Sequence, residues 1–240
     1  MTTVFIISAP SGSGKSTLVN ELRSRVGGLK FSVSYTTRAP RGSEQNGREY
    51  FFVPRAEFEE MIARNEFLEH AQVFGNYYGT ARRFLREAQE AADDLLLDID
   101  VQGAAQIKQK IPEAASVFVL PPDRQTLEWR LRRRGEDSEQ VICRRLDTAR
   151  REIENYDKYD YILVNDDLEQ AVDEMKAIVL TERARRSGRP LTDEDQANLR
   201  IAEQHRLENI RDRIKPILDS FRDAQGQDPD SPPDRGGETL

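Results

Sequence analysis

The sequence predicts an α/β fold with a central, mostly parallel sheet, and three observations predict it. Short, almost wholly apolar runs at 4–8, 95–99, 117–120 and 161–164 have the character of parallel strands buried on both faces. Patterns of helical period lie between them: Leu18, Leu22 and Val26; Phe58, Met61 and Ile62; Leu127 to Leu131 with Trp129; and Ala171, Met175, Ile178 and Val179. A glycine-rich turn joins the first run to the first helical pattern, as in βα units.

Taken in order, Val4-Phe5-Ile6-Ile7 is the first strand, and Ala9-Pro10-Ser11-Gly12-Ser13-Gly14-Lys15-Ser16-Thr17 follows it. A turn of this kind points backbone N–H groups inward, where they cradle a phosphate. Lys15 is then expected to reach the β- and γ-phosphates of a nucleoside triphosphate, with the Ser16 hydroxyl on a magnesium ion. The strict pattern G-x-x-x-x-G-K-[ST] asks for glycine where this chain has Ala9. That departure of one methyl is tolerated where the backbone keeps φ negative.

The stretch from 31 to 80 differs in character. Strand-like runs at 31–35 and 50–53 lie close to Gly42, Gly47, Gly75 and Gly79, which predicts a small β-rich lobe inserted at about 33–82. Beyond about 185, Arg185-Arg186-Ser187-Gly188-Arg189-Pro190 reads as a linker and Thr192-Asp193-Glu194-Asp195 as a helix start, with acids in the first turn. Leu207, Ile210, Ile214, Ile217, Leu218 and Phe221 form an apolar stripe, and Pro216 is expected to kink or split that helix. The expected division is a main domain over 1–185 and a C-terminal extension over 186–240, helical to about 223. Its Pro-, Gly- and Asp-rich end, 226–240, is expected to be disordered.

Composition sets limits. With 36 Lys and Arg against 43 Asp and Glu, the net charge of −7 argues against general nucleic-acid binding, which needs a basic face. The arginines are nonetheless clustered, at Arg38/Arg41, Arg82/Arg83, Arg130 to Arg134 and Arg144/Arg145, so they can focus a positive potential into one cleft. A single cysteine, Cys143, excludes an internal disulfide and is expected to be inert; His70 and His205 are expected to be structural or surface residues, and Trp129 to be packing. No apolar run approaches the roughly 18 residues that span a bilayer. The N-terminus does not read as a secretory signal, so a cytoplasmic location without a membrane partner is expected.

A second constellation narrows the reading. Ser34-Tyr35-Thr36-Thr37-Arg38-Ala39-Pro40-Arg41 is followed by Glu44, Gly47, Arg48, Glu49 and Tyr50, then Glu66-Phe67-Leu68-Glu69. Gly75-Asn76-Tyr77-Tyr78-Gly79-Thr80 and Leu97-Asp98-Ile99-Asp100-Val101-Gln102-Gly103 come next. With the phosphate loop, this ordered set resembles the guanylate kinases, which pass the γ-phosphoryl of ATP to GMP. The resemblance spans about 4–179. It implies a P-loop nucleoside-monophosphate kinase fold with a GMP-binding lobe at about 33–82, a helical lid at about 126–146, and Mg2+ acting with ATP.

The chemistry of the residues agrees with it. Guanine offers N1–H and a 2-amino group on one edge, and ionised Glu69 and Asp100 can only accept, so adenine would leave their lone pairs unmatched. Mismatches of this kind discriminate by roughly 10⁴. The resemblance places Glu69, Thr80 and Asp100 around the base, with Thr80 and Ser34 offering hydroxyls. Arg38 and Arg41 supply planar forks, and Tyr50 and Tyr78 phenolic O–H groups, for the GMP phosphate. Asp98 ends the run Leu95-Leu96-Leu97, where an acid can organise the metal through water; a capping role for the next segment is the alternative.

In the family the Arg130–Arg134 region is the lid, and arginines matching Arg134 and Arg145 reach the transferring phosphoryl, whose spread negative charge needs neutralising. Arg132, Arg133 and Arg144 read instead as a solvated, ion-paired face. Asn165-Asp166 matches a segment near the adenine of ATP. Lys15, Arg41, Arg134 and Arg145 are thus the expected catalytic residues, with no general base required. The rival readings are a kinase of another nucleoside monophosphate and a non-catalytic, guanylate-kinase-like interaction module. The Glu69/Asp100 pair argues against the first, and Lys15, Ser16, Arg38, Arg41 and Asp100 together argue against the second.

Overall fold

The computed structural model describes residues 2–73, 75–133 and 138–222. Its central sheet has five strands: β1 (Val4–Ser8), β2 (Leu29–Ser32), β7 (Asp94–Asp98), β8 (Ala115–Leu120) and β9 (Tyr161–Val164). They run in the order β2-β7-β1-β8-β9 and every pairing is parallel. Alternation along each strand serves two separate cores. Val4, Ile6, Leu95, Leu97 and Phe118 face one, while Phe5, Ile7, Leu96, Val117 and Val119 face the other. The second face is covered by α1 (Lys15–Arg25) and α7 (Leu168–Ser187), whose Leu18, Leu22, Val172, Met175 and Ile178 are buried there. Strand order reverses on either side of β1, so the crevice beyond its C-terminal end is the switch point where such sheets bind ligands.

The remaining strands, β3 (Tyr35–Thr36), β4 (Phe51–Phe52), β5 (Phe67–Val73) and β6 (Asn76–Ala81), form a separate sheet in the order β4-β3-β6-β5. The run expected as one strand at 31–35 is therefore divided. Its first part is β2 of the central sheet, and its last residue opens β3 of the lobe. Local propensity supports an extended chain throughout, but only tertiary pairing decides which sheet it joins. A helix, α2 (Arg55–Ala63), packs on this sheet through Phe58, whose ring stacks on Phe67 at 4.4 Å and on Tyr77 at 5.3 Å. A third helix, α3 (Arg82–Ala91), returns the chain to β7.

After β7 come α4 (Val101–Lys110), α5 (Arg124–Arg133) and α6 (Glu139–Ile153). Trp129 on α5 is 56% exposed, with the Arg133 guanidinium 5.0 Å from its ring centroid. The expectation that it packs in the core is corrected: Leu127 and Leu131 form the buried stripe, and Trp129 lies off that face. Arg185 and Arg186, which read as a linker, belong to α7. That helix ends at Gly188 with φ 66°, a left-handed C-cap suited to glycine.

Two further helices follow, α8 (Asp193–Gln204) and α9 (Leu207–Arg222). The expected start of α8 is a capping box between Thr192 and Asp195. Arg189, with the Thr192 groups, holds the Asp195 carboxyl well below the usual carboxylate range. The turn between the helices covers the outer edge of β9: Ile162 N–H donates to His205 O at 2.8 Å and Leu207 N–H to Asp160 O at 3.3 Å. His205 is buried, with Nδ1 3.1 Å from Ile162 O and Nε2 3.6 Å from Glu174.

The helix α9 runs through Pro216 without a break. Pro216 and Asp212, whose carbonyl loses its partner, are both exposed, which puts the break in the hydrogen-bond ladder on the outer side of the helix. The stripe of Ile210, Ile214, Ile217, Leu218 and Phe221 is buried in the same core as Leu127, Leu131, Ile142 and Leu146 of α5 and α6. Ser220 Oγ accepts from Arg124 N–H at 3.2 Å, satisfying an otherwise orphaned donor at the start of α5.

The burial yields a stability prediction. Ile214 is 0% exposed and Leu191, in the connection to α8, is 39% exposed. Ile214→Ala is expected to destabilise the fold by about 2–4 kcal/mol, and Leu191→Ala by no more than about 0.5. Urea denaturation measures both, and equal small effects would put α9 outside the core.

Candidate active site

Beyond β1 the chain forms a loop in which Gly12 has φ 98° and Gly14 has φ 84°. Both values lie in the left-handed region that favours glycine. The space is also closed to side chains: a Cβ on Gly12 would stand 2.9 Å from methyls of Leu127 and Leu131, and one on Gly14 2.5 Å from Asn165 Nδ2. Ala9 is not among the described residues with positive φ, so its methyl is compatible with the loop. Ser13 N–H donates to Pro10 O at 3.1 Å, and α1 begins at Lys15 with Ser16 and Thr17 exposed in its first turn.

Two side chains pin this loop from outside. Asn165 Nδ2 donates to Ser13 O at 2.7 Å, so the residue expected near adenine faces the phosphate loop itself. Arg130 reaches Ser13 O at 3.4 Å and Asn165 O at 3.1 Å. Sequence reasoning gave Arg130 no role of its own beyond its place in the arginine cluster, although its spacing of three residues from buried Leu127 places it towards the inner side of α5. Asp166, next in sequence, is exposed and contributes favourable charge near Arg130.

The pairing of β1 with β7 sets Ile7 beside Asp98, and Asp98 forms an ion pair with Lys15. Asp98 is not a helix cap. That role falls to Asp100, whose Oδ1 accepts from Gly103 N–H at 2.8 Å at the start of α4.

Glu69 stands beside Asp100. On β5 a register shift between Phe67 and Glu69 puts Glu69 directly opposite Thr80 of β6. The neighbouring strand positions are tied to α4: Lys110 Nζ donates to Leu68 O at 2.5 Å, and the Gln106 amide exchanges two hydrogen bonds with the His70 backbone. Glu69 is 3% exposed, and its Oε2 lies so near Gly103 that a Cβ there would stand 2.5 Å away. Burial pushes its carboxyl up to about 7, the charge of Asp100 adding to the rise while Thr80 and Lys110 oppose it. Thr80 Oγ1 is wholly buried and lies towards the Glu69 carboxylate without reaching full hydrogen-bond geometry. The two groups together offer hydrogen-bonding capacity that the protein does not fully use.

The other end of the lobe gathers Arg38, Tyr50 and Tyr78. The Arg38 guanidinium lies 5.3 Å from the Tyr50 ring centroid, and the Tyr50 and Tyr78 rings meet edge to face at 5.9 Å. Glu44 grips Arg38 with two hydrogen bonds of 2.8 and 2.9 Å and accepts Arg41 N–H at 2.7 Å. Arg38 and then the Arg41 amide hold the Glu44 carboxyl below its usual range against the opposing effect of desolvation. Glu44 orders the arginine loop, a function invisible in a motif that names only the arginines. Arg41 is exposed. Ser34 is half-buried where the chain crosses from the central sheet to the lobe, and its carbonyl accepts Phe51 N–H at 2.9 Å. Burial and the charge of Asp98 push the Tyr50 hydroxyl up to about 12, so it remains a donor at neutral pH.

In the segment expected to be a lid, Arg145 is half-buried on α6. Arg134 lies outside the described residues, as does the 226–240 segment. Arg132 pairs with Glu128 and Glu139, the solvated arrangement expected of it. Two turns beyond Arg145 on the same helical face, Glu152 was missed. Burial pushes its carboxyl up to about 7, against the opposing charge of Lys15 and the Ser11 amide, and its Oε2 has no partner among the described residues.

Among the described residues no three acidic, histidine or cysteine side chains converge on a metal position. A hard cation such as Mg2+ keeps several waters and takes one or two protein oxygens plus substrate phosphates. Ser16 at the loop and Asp98 beside Lys15 are the oxygens available there.

Comparison with known proteins agrees with this geometry. The family model for guanylate kinase matches residues 1–182. A guanylate kinase of Koribacter versatilis is 59% identical over 230 residues, covering 95% of this chain and 99% of that protein. The Escherichia coli guanylate kinase is 50% identical over 187 residues, covering 77% and 90%. Among solved structures, the guanylate kinase of Anaplasma phagocytophilum superposes with a TM-score of 0.64 at 34% identity, over 77% of this chain and 86% of that one. The chain belongs to the guanylate kinase family.

Proposed function

We propose that this chain transfers the γ-phosphoryl of ATP to GMP, giving ADP and GDP. One observation carries the reading beyond family membership: two carboxylates, Glu69 and Asp100, adjoin at the start of α4, with the buried Thr80 hydroxyl opposite Glu69. Two adjacent acceptors match the two adjacent donors of guanine and repel the acceptor that adenine presents.

In this reading the loop amides of 9–17 and Lys15 hold the triphosphate, and Asn165 and Arg130 keep the loop in shape. Lys15 must share or leave Asp98 to reach the phosphates. Arg38, Arg41, Tyr50 and Tyr78 fix the GMP phosphate, with Glu44 holding the Arg38 fork in register. Ser16, and Asp98 through water, are the residues that would hold Mg2+. Bound with ATP, Mg2+ neutralises phosphate charge and orients the terminal phosphoryl. Arg145, and Arg134 by motif alone, are assigned to the charge that spreads over the transferring group. The GMP phosphate is already an anionic nucleophile, so positioning and charge neutralisation carry the catalysis.

The direct test is an acceptor panel. Purified protein with ATP and Mg2+ is expected to phosphorylate GMP at least about 10³-fold more efficiently than AMP, CMP or UMP, and comparable rates would refute the reading. Lys15→Ala and Arg41→Ala are each expected to lower kcat/KM by about 10²-fold or more with unchanged circular dichroism.

Glu69 adds a pH dependence. Its ionised form only accepts, whereas the protonated form turns one oxygen into a donor that faces a guanine donor, so KM for GMP is expected to rise by up to about tenfold between pH 8 and pH 6, with KM for ATP flat. Its carboxyl titrates at about 7 in the fold against 4.5 ordinarily. The folded state therefore binds more protons between these values and loses stability as pH rises through them. Glu69→Gln is expected to be more stable than the parent at pH 8, by up to about 3 kcal/mol, with the gap closing towards pH 5. Denaturant melts at the two pH values check this, and a gap that widens on acidification would contradict it.

A further inference from the structure

Gly103 poses a question that backbone geometry does not answer. It sits in the first turn of α4, its backbone is helical, and it is not among the glycines with positive φ. A helix interior disfavours glycine relative to alanine, so this position carries a cost without a conformational return. Its neighbours supply the reason. The three atoms nearest to an added Cβ are Glu69 Oε2 at 2.5 Å, Glu69 Cδ at 3.0 Å and Asp100 Oδ1 at 3.3 Å. All three belong to the two carboxyl groups assigned to the base, and none is a backbone atom.

We infer that Gly103 is a specificity-determining residue for the guanine acceptor: its missing side chain is what allows Glu69 and Asp100 to stand side by side. The inference rests on the GMP reading above and deepens it. The N1–H and 2-amino donors of guanine are adjacent on one ring, so the acceptors that read both must adjoin. Asp100 is held in place by capping α4 through Gly103 N–H, at 2.8 Å, and Glu69 is held by β5, which Gln106 and Lys110 of the same helix tie to it. A methyl at 103 leaves the helix intact, because alanine is the better helix former, and displaces the flexible end of Glu69. The same methyl crowds the positive end of the α4 backbone against which that carboxylate lies.

The experiment is steady-state kinetics and thermal melting of Gly103→Ala beside the parent, Glu69→Ala and the double variant. Gly103→Ala is expected to raise KM for GMP about tenfold or more while KM for ATP stays within about twofold and the melting temperature does not fall. In the Glu69→Ala background the same substitution is expected to add no more than about twofold, because the glycine acts through Glu69. An unchanged KM for GMP overturns the inference. So does a joint rise of both KM values with a lower melting temperature, which is a packing defect, or a full effect that persists without Glu69. The parent, measured alongside, separates the two levels: a parent that does not favour GMP removes the functional reading, whereas a GMP-selective parent with a silent Gly103→Ala removes only the role of Gly103.

Discussion

The parallel pairing of β1 with β7 is the constraint on which the rest of the site depends. That pairing sets Ile7 beside Asp98, so the phosphate loop leaving one strand and the acidic segment leaving the other emerge together. Lys15 meets Asp98 there, and two residues later Asp100 starts α4. Slipping this register by one residue would turn Asp98 to the opposite face and separate the lysine from its carboxylate. Burial of Leu95, Leu96 and Leu97 against both cores anchors β7 inside the sheet, where this register holds Asp98 at the end of β1.

From that line the molecule extends in two directions. One leads through α4 to the lobe, where Gln106 and Lys110 fasten β5 and bring Glu69 against the helix start. The other leads through the loop to α5, where Arg130 and Asn165 converge on Ser13 O. The C-terminal extension adds a third layer behind α5 and α6 and covers the outer edge of β9. The Koribacter versatilis relative aligns over 230 residues and so shares most of this extension, whereas the Escherichia coli alignment stops at 187 residues. The site carries two carboxyls raised by burial, Glu69 and Glu152, both at about 7. Buried acids of this sort weaken a fold when ionised, and here they lie where nucleotide groups are expected to meet them.

Much of this was legible in the chain before any coordinates. The phosphate loop declares itself because Gly12, Gly14, Lys15 and Ser16 satisfy a local requirement, and the apolar runs of the central sheet declare themselves because buried parallel strands need no alternation. What escaped was decided by contacts distant in sequence. Residues 31–35 divide between two sheets, and nothing local distinguishes Ser32 from Tyr35 as partners of different strands. Trp129 lies two residues from both Leu127 and Leu131, on the face of α5 opposite the buried stripe, which so short a helical pattern did not resolve. Arg130 and Glu152 act on backbone or charge supplied by other elements, so their types look ordinary where they stand, and Glu44 acts within its own loop on a geometry that the motif does not spell out. Gly103 was visible as a letter of a motif, but its reason lies in Glu69, on a different strand.

The central claim is that Glu69 and Asp100 read two separate donors on the guanine ring. Calorimetric affinities for GMP and for inosine monophosphate, which keeps N1–H and lacks the 2-amino group, isolate the second donor in an otherwise identical ligand. The account predicts that GMP binds about 10- to 100-fold more tightly, the worth of one hydrogen bond to a buried carboxylate, and that replacing the carboxylate facing the 2-amino group brings the two ligands within about twofold. Equal affinity of the unaltered protein for the two nucleotides would contradict it.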